Sequence, residues 1–329
     1  MTVSSPIHTV SAADIDAAAD VLKPYAVRTP LLSSPALDAL TGARVFLKPE
    51  VLQRTGSFKF RGAFNKISSI PADKRGNGVV AFSSGNHAQG VAASAQIYGM
   101  PAVIVMPADA PLSKRERTMS YGAEVVLYDR LTEDREAIAR GIARDRGATI
   151  VPPYDDPLIV AGQGTVGREI AEDLSARGIA PDIVMAPASG GGLIAGVATA
   201  IKARFPGTAV ISAEPAGFDD HARSLAAGRR EPHRAEGRTI CDALMATIPG
   251  ELTFAINMRL LASGVTADDA EVGHAVALLF REVKLVVEPG GAVALAALLA
   301  GRVDVAGKTV VVVLSGGNVD ADMFARLIQ

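Results

Sequence analysis

The sequence is poor in the residues that mark disulfide-linked, nucleic-acid-binding and membrane-surface proteins. Its 329 residues include one cysteine, no tryptophan and only 5% aromatic residues, and 33 Lys and Arg nearly balance 35 Asp and Glu. A lone cysteine, Cys241, excludes an internal disulfide. A net charge of -2 gives no broad positive field for nucleic acid or acidic lipid. We therefore expect a small-molecule partner, and neither nucleic acid nor a membrane.

Long uninterrupted apolar runs are also missing. The charge-free run 183–201 is broken by Pro187 and by three glycines, which favours strand, loop and helix over a membrane span. The N-terminus has acidic residues where a signal peptide needs a basic start and an apolar run. Together these features predict a cytoplasmic protein.

The sequence does contain short β-branched runs that alternate with alanine-rich stretches of helical spacing. This alternation predicts the α/β class, with parallel or mostly parallel sheets and helices on both faces. A chain of this length suits two domains. Because no low-complexity linker is present, we expect one of the domains to be discontinuous. The predicted strands are residues 78–83, 102–106, 123–128, 182–187, 209–214 and 309–315.

Three loops that carry glycine follow predicted strands, at the sheet edge where α/β proteins bind ligands. "ASGGGLIAG" offers backbone N–H groups and a helix N-terminus to a phosphate, although a tight turn between closely packed segments is equally consistent with it. "SSGNHAQG" carries hydroxyl, amide and imidazole groups, and alone it favours a helix cap. "LSGGNVD" places Ser315 at the end of the last strand.

"SFKFRGA", residues 57–63, sets Lys59 between Phe58 and Phe60. Such a lysine could reach past the rings to solvent. Alternatively, the rings could desolvate its amine and lower the pKa, as a Schiff-base lysine requires. A phosphate cradle, a desolvated lysine and polar loops at one sheet edge together predict an aldehyde cofactor with a phosphate, and pyridoxal phosphate has both groups. A non-catalytic α/β protein that binds a phosphate ligand is the alternative.

Taken together, these motifs resemble the fold-type II pyridoxal-phosphate enzymes, which have a tryptophan synthase β-like fold. The similarity is to the group of threonine and serine dehydratases, serine racemases and 3-hydroxyaspartate ammonia-lyases, and it runs from "TPLLSSPALD" to "LSGGNVD". The resemblance implies that Lys59 forms the internal aldimine, that Phe58 packs along the cofactor ring and that Asn86 bonds the cofactor 3'-oxygen. Ser315 would face the pyridine nitrogen. The backbone N–H groups that would hold the phosphate are those of Gly190, Gly191, Gly192 and Leu193.

The activity implied by the resemblance is β-elimination from a β-hydroxy L-amino acid, most simply L-threonine or L-serine, to a 2-keto acid and ammonia. A neutral serine, unlike an aspartate, does not hold a proton on the ring nitrogen, which favours loss of a β-leaving group over a long-lived carbanion. The alternatives are a 3-hydroxyaspartate ammonia-lyase and a serine racemase with side dehydratase activity.

Two residues bear on that choice. Ser84 matches a serine of racemase-like members that lies on the cofactor face opposite the lysine, so it is a second candidate catalytic residue. Arg135 matches an arginine that approaches the substrate in such members, and it is a candidate to bind a second carboxylate. A surface arginine near Glu133 and Asp134 is equally consistent. The substrate carboxylate would be held by Ser83, Ser84, Gly85, Asn86 and His87.

"AEPAGFDDH", residues 213–221, resembles the divalent-cation site of the same branch. Glu214, the backbone carbonyl of Phe218, and Asp220 would bind Mg²⁺ or Ca²⁺ through oxygen. The alternative is an acidic turn in solvent. Glu288 would lie near the pyridine nitrogen, unless it caps the helix that starts at Pro289.

The resemblance also implies the domain organisation. Residues 1–74 and 156–329 would form a large cofactor-binding domain, and residues 75–155 a small mobile domain that closes over the substrate. Few residues follow "SGGNVD", so we expect no C-terminal regulatory domain. Family members are commonly dimers, and we expect a homodimer.

Overall fold

The structure, a computed structural model, describes residues 9–83, 85–110, 112–234 and 236–329, and it contains two β-sheets flanked by helices. The larger sheet has the strand order β1-β2-β10-β7-β8-β9, and the smaller has the order β5-β4-β3-β6. All neighbouring strands run parallel except β1 and β2, which are antiparallel. The strands are β1 (Leu32–Ser33), β2 (Arg44–Pro49), β3 (Val79–Phe82), β4 (Ala102–Pro107), β5 (Glu124–Tyr128), β6 (Thr149–Ile150), β7 (Ile183–Pro187), β8 (Ala209–Pro215), β9 (Ser263–Ala267) and β10 (Thr309–Leu314).

Helices precede, connect and cover these strands. They are α1 (Ala12–Leu22), α2 (Pro35–Thr41), α3 (Lys59–Ser68), α4 (Asn86–Ile97), α5 (Leu112–Ser120), α6 (Arg135–Arg146), α7 (Pro157–Ala176), α8 (Gly192–Arg204), α9 (Asp220–Ala227), α10 (Glu251–Leu260), α11 (Asp269–Leu278), α12 (Pro289–Leu299) and α13 (Ala321–Leu327). Short 3-10 helices lie at Glu50–Leu52, Arg54–Gly56, Ala72–Asn77 and Asp242–Leu244, and a π-helical turn lies at Leu279–Val283. No helix among the described residues has the length and apolar character needed to cross a membrane.

All six strands predicted from the sequence are present, and the α/β class with mostly parallel sheets is confirmed. Successive residues of the central strands enter opposite cores. In β10, Val310 and Val312 pack with α11 and α12, whereas Val311 and Val313 pack with α7 and α8. Because both faces are buried, these strands are continuous runs of β-branched residues.

Helix α3 packs on both α4 and α7. The contact with α7 needs glycine on each side. A Cβ on Gly162 would lie 2.7 Å from the Cα of Gly62 and 2.7 Å from the carbonyl oxygen of Arg61. The close approach brings the first residue of α3, Lys59, next to the loops that follow β6 and β7.

Candidate active site

One cleft collects residues from all three loops and from the start of α3. Its walls come from both sheets and from the segment that leads from β6 to α7. The cleft-lining residues that were predicted from the sequence are Phe58, Lys59, Ser83, Gly85, Asn86, His87, Arg135, Gly190, Gly191, Gly192, Leu193, Glu288 and Ser315. Ser84 lies outside the described residues. Glu214, Phe218 and Asp220 do not line the cleft.

Lys59 faces the cleft and is not a surface charge. The backbone N–H of Phe58 donates to the carbonyl of Ser315 at 3.1 Å, which ties the start of α3 to the end of β10. The Lys59 amine donates to the carbonyl oxygen of Pro153 at 2.7 Å and lies 5.2 Å from the ring centroid of Phe58. Burial lowers the pKa of Lys59 to about 8. Near neutral pH a larger fraction of the amine is therefore neutral than at the usual lysine pKa, as a nucleophile or a base requires.

Asn86 and Glu288 bond each other rather than capping helices. The amide of Asn86 donates to Glu288 Oε1 at 2.5 Å, and Asn318 donates to Asn86 Oδ1 at 2.7 Å. Among the residues that the structure describes, no side chain caps the N-terminus of α4 or of α12, so the capping interpretation of Asn86 and Glu288 is wrong. Burial raises the pKa of Glu288 to about 7, with a further contribution from Asp242.

His87 is neutral in this environment. Its Nε2 lies 2.9 Å from the carbonyl oxygen of Val151, which assigns the ring proton to Nε2. Burial, with the nearby charge of Lys59, lowers the pKa of His87 to about 3. The imidazole therefore supplies no positive charge to a substrate carboxylate. The free N–H groups at the N-terminus of α4 remain available for that role.

The glycine loop combines close packing with an open helix N-terminus. Gly191 precedes α8 with φ +92°, and no side chain caps this helix. A Cβ on Gly190 would lie 2.3 Å from the ring of Tyr154, so the loop passes against that ring. The N–H groups of the first turn of α8 have no intrahelical partners. They form the kind of site that binds phosphate.

Arg135, the first residue of α6, lines the cleft with Lys114 and Arg130. Its guanidinium lies 5.6 Å from the ring centroid of Phe82. Lys114 forms an ion pair with Asp242 and Arg130 one with Asp109. Among the described residues, Arg135 forms no salt bridge with Glu133 or Asp134.

Sequence reasoning missed several residues of the cleft. Lys114, Arg130, Tyr154 and Asp242 all line it, and Pro153 holds the lysine amine. The available signal was the polar segment "VPPYDD", which follows β6. This strand has only two residues, so the sequence did not reveal a strand whose end could contribute to a ligand-binding site.

The carboxylates of Glu214 and Asp220 are buried side by side, at 1% and 2% exposure. Glu214 accepts hydrogen bonds from the backbone N–H groups of His221 at 2.8 Å and Ala222 at 2.7 Å. Asp220 Oδ2 is buried without a partner in the described part of the chain. Burial raises the pKa of Glu214 well above its usual value and that of Asp220 to about 7. The acidic turn is therefore not solvated.

This arrangement fits a cation only in part. Within the described ranges, no group of three or more His, Cys, Asp or Glu side chains is arranged to hold a metal ion. The predicted donors are the two carboxylates, of which Asp220 offers an unsatisfied oxygen, and the backbone carbonyl of Phe218. All of these are hard oxygen ligands, which suit Mg²⁺ or Ca²⁺.

Known proteins resemble this chain over nearly its whole length. A family model described as pyridoxal-phosphate dependent enzyme matches residues 22–316. An L-threonine ammonia-lyase from Thermotoga maritima is 44% identical over 319 residues, which are 96% of this chain and 77% of that protein. An L-threo-3-hydroxyaspartate ammonia-lyase from Pseudomonas sp. is 43% identical over 316 residues, which are 96% and 98% of the two chains. The structure of maize serine racemase matches with a TM-score of 0.92 at 36% identity, covering 97% of each chain.

Proposed function

The chain belongs to the pyridoxal-phosphate-dependent enzyme family, and from that membership we propose that it is an ammonia-lyase acting on β-hydroxy L-amino acids, most simply L-threonine or L-serine. The products are a 2-keto acid and ammonia. The observation that carries the proposal is the Lys59 amine, with its lowered pKa, in a cleft with the uncapped glycine loop. The curated relatives support elimination from hydroxy amino acids.

The residues of the cleft fit pyridoxal phosphate. Bound there, the cofactor supplies an aldehyde for an amine and a conjugated ring that withdraws electrons from the substrate α-carbon. Lys59 would hold the cofactor through its amine, and once displaced by substrate it would take the α-proton. The backbone N–H groups of residues 190–193 would hold the phosphate. Ser315 would present a neutral hydroxyl to the ring nitrogen, and Asn86 an amide to the ring oxygen.

The N-terminal end of α4 would orient the substrate. Its free N–H groups carry the positive end of the helix dipole, which attracts the substrate carboxylate. His87, which is buried and neutral, would support this end through its hydrogen bond to the segment after β6. The α-carbon would then lie near Lys59.

The test is keto-acid release from the purified holoenzyme. L-Threonine, L-serine, D-serine and both diastereomers of 3-hydroxyaspartate are compared side by side. We expect turnover of threonine and serine. Conversion of L-serine mainly to D-serine would instead support the racemase alternative and a role for Ser84. Absence of turnover and of any bound chromophore would support the non-catalytic phosphate-binding alternative.

A 3-hydroxyaspartate ammonia-lyase is the second candidate, and the position of Arg135 favours it. The guanidinium lines the cleft without a salt bridge among the described residues, so a second substrate carboxylate could pair with it. In that case Arg135→Met should lower kcat/KM for 3-hydroxyaspartate by about 10- to 100-fold, because a hydrogen bond to a charged group is lost. The value for L-threonine should change by less than about threefold.

The matched control is Arg140→Met, because Arg140 lies on the same helix with its side chain 60% exposed. It should leave both substrates unaffected. Equal losses of kcat/KM for the two substrates in Arg135→Met would show that Arg135 does not discriminate between them.

We also propose that Glu214, the Phe218 carbonyl and Asp220 bind Mg²⁺ or Ca²⁺. Binding to the folded state should raise the unfolding free energy, by about 2.7 kcal/mol at a cation concentration 100 times Kd. Differential scanning fluorimetry should show a melting temperature that falls in EDTA and recovers with excess Mg²⁺. Asp220→Asn should remove the response. A melting temperature that is the same in metal-free and Mg²⁺ buffers would contradict the site.

The domain assignment is likewise a proposal. A large domain of residues 1–74 and 156–329 and a small domain of residues 75–155 are supported by the two sheets, whose strands fall within these ranges. Closure of the small domain over substrate would move Arg135 and the start of α4 relative to the glycine loop. We propose that the enzyme acts as a homodimer in the cytoplasm. Cys241 is a buried free thiol.

A further inference from the structure

Helix α10 and the residue before it donate hydrogen bonds to two backbone carbonyls of the glycine loop. Thr253 Oγ1 donates to the carbonyl oxygen of Gly190 at 2.6 Å, and the N–H of Gly250 donates to the same oxygen at 3.2 Å. Asn257 Nδ2 donates to the carbonyl oxygen of Gly191 at 3.3 Å. Thr253 and Asn257 are both 0% exposed and do not line the cleft. Their spacing of one helical turn puts them on the same face of α10.

These hydrogen bonds orient the amides of the loop. In a trans peptide the C=O and the next N–H point in opposite directions, and the described chain contains no cis peptide. Fixing the carbonyl of Gly190 on α10 therefore directs the N–H of Gly191 away from α10. Fixing the carbonyl of Gly191 does the same for the N–H of Gly192. The three glycines also line the cleft.

Helix α10 packs closely against the glycine loop, and Asp155 also holds the start of this helix. A Cβ on Gly191 would lie 2.8 Å from Asn257 Nδ2 and 3.1 Å from Thr253 Oγ1. Asp155 accepts hydrogen bonds from the backbone N–H groups of Glu251 at 2.9 Å and of Thr253 at 3.2 Å, which fixes the start of α10. Asp155 directly follows Tyr154, whose ring packs against the glycine loop.

We propose that Thr253 and Asn257 are positioning residues for the cofactor phosphate: by holding the carbonyls of Gly190 and Gly191, they aim the N–H groups of Gly191 and Gly192 at it. The inference rests on the proposed pyridoxal-phosphate function. Neither side chain lines the cleft, so neither would touch the phosphate. Their contribution therefore depends on the phosphate and is absent for pyridoxal, which carries the same aldehyde without it.

The test compares Thr253→Val, which keeps the shape and removes the hydroxyl, with Thr253→Ser, which keeps the hydroxyl. Affinities of the apoenzyme for pyridoxal phosphate and for pyridoxal are measured by absorbance titration. In Thr253→Val the preference for pyridoxal phosphate over pyridoxal should fall by about tenfold, because loop amides lose their alignment. In Thr253→Ser the preference should stay within about threefold of the parent.

An unchanged preference in Thr253→Val would overturn the inference. So would equal losses of affinity for both ligands with a lower melting temperature of the apoenzyme, since a purely structural role predicts that pattern. If Thr253→Val does not fold, Asn257→Leu is judged by the same ratio. A parent protein that binds neither ligand would refute the proposed function itself, whereas tight parent binding with an unchanged ratio in the variants refutes only the role of α10.

Discussion

Lys59→Ala should abolish the visible absorbance of the holoenzyme and lower the lyase activity by about 10⁴-fold or more, the largest effect expected of any substitution in the cleft. The reason is that, in the proposed function, one amine has two tasks, holding the cofactor and accepting the α-proton. Its burial and its pKa of about 8 make it the basic group of the cleft suited to both. The measurement is the absorbance spectrum together with keto-acid release.

The control is Lys74→Ala, because Lys74 is an exposed lysine outside the cleft. Borohydride treatment followed by peptide mapping should place the reduced cofactor on Lys59 in the parent and in this control. A visible band that survives in Lys59→Ala would mean that another amine carries the cofactor, and the assignment of the site would be wrong.

Arg61→Met should lower the free energy of unfolding by about 3–5 kcal/mol. Arg61 is 1% exposed and lies between the carboxylates of Glu50, at 2.8 Å, and Glu169, at 2.7 Å. Lys48, also buried, pairs with Glu169 at 2.6 Å. Removing the guanidinium leaves two buried carboxylates facing one cation. The resulting loss is measured by urea unfolding followed by circular dichroism.

Arg168→Met provides the comparison, because Arg168 makes a surface ion pair with Asp16 and is 34% exposed. Such pairs contribute less than about 1 kcal/mol. If Arg61→Met costs no more than Arg168→Met, the buried network does not stabilise the contact between α3 and α7. The presence of a buried arginine at position 61 would then need an explanation other than stability.

The sequence predicted the elements whose pattern is local. β10 and β7 were recognisable because a strand buried on both faces is a continuous β-branched run. β6 was not recognised, because two residues carry too little pattern. For the same reason the segment after β6, which holds Lys59 and packs on Gly190, was absent from the predicted site.

Alternatives that the sequence left open were decided by partners distant in the chain. Asn86 could have been a cofactor ligand or a helix cap, and in the structure its amide donates a hydrogen bond to Glu288, which is 202 residues away. Asp220 could have been a cation ligand or a solvated residue of an acidic turn, and it is buried near Glu214. A capping or solvated residue has the same local sequence as a buried, paired one, so only the packing distinguishes them.

By itself the sequence determined the α/β class, the strands at the centres of both sheets, the signature of the pyridoxal-phosphate family and the candidate lysine within it. These follow from local periodicity and from motifs in which neighbouring residues act together. The tertiary structure alone decided the pKa of Lys59, the neutrality of His87, and the holding of the glycine loop by Thr253 and Asn257. Each of these depends on burial or on a hydrogen bond between segments far apart in sequence, and neither can be inferred from the local sequence.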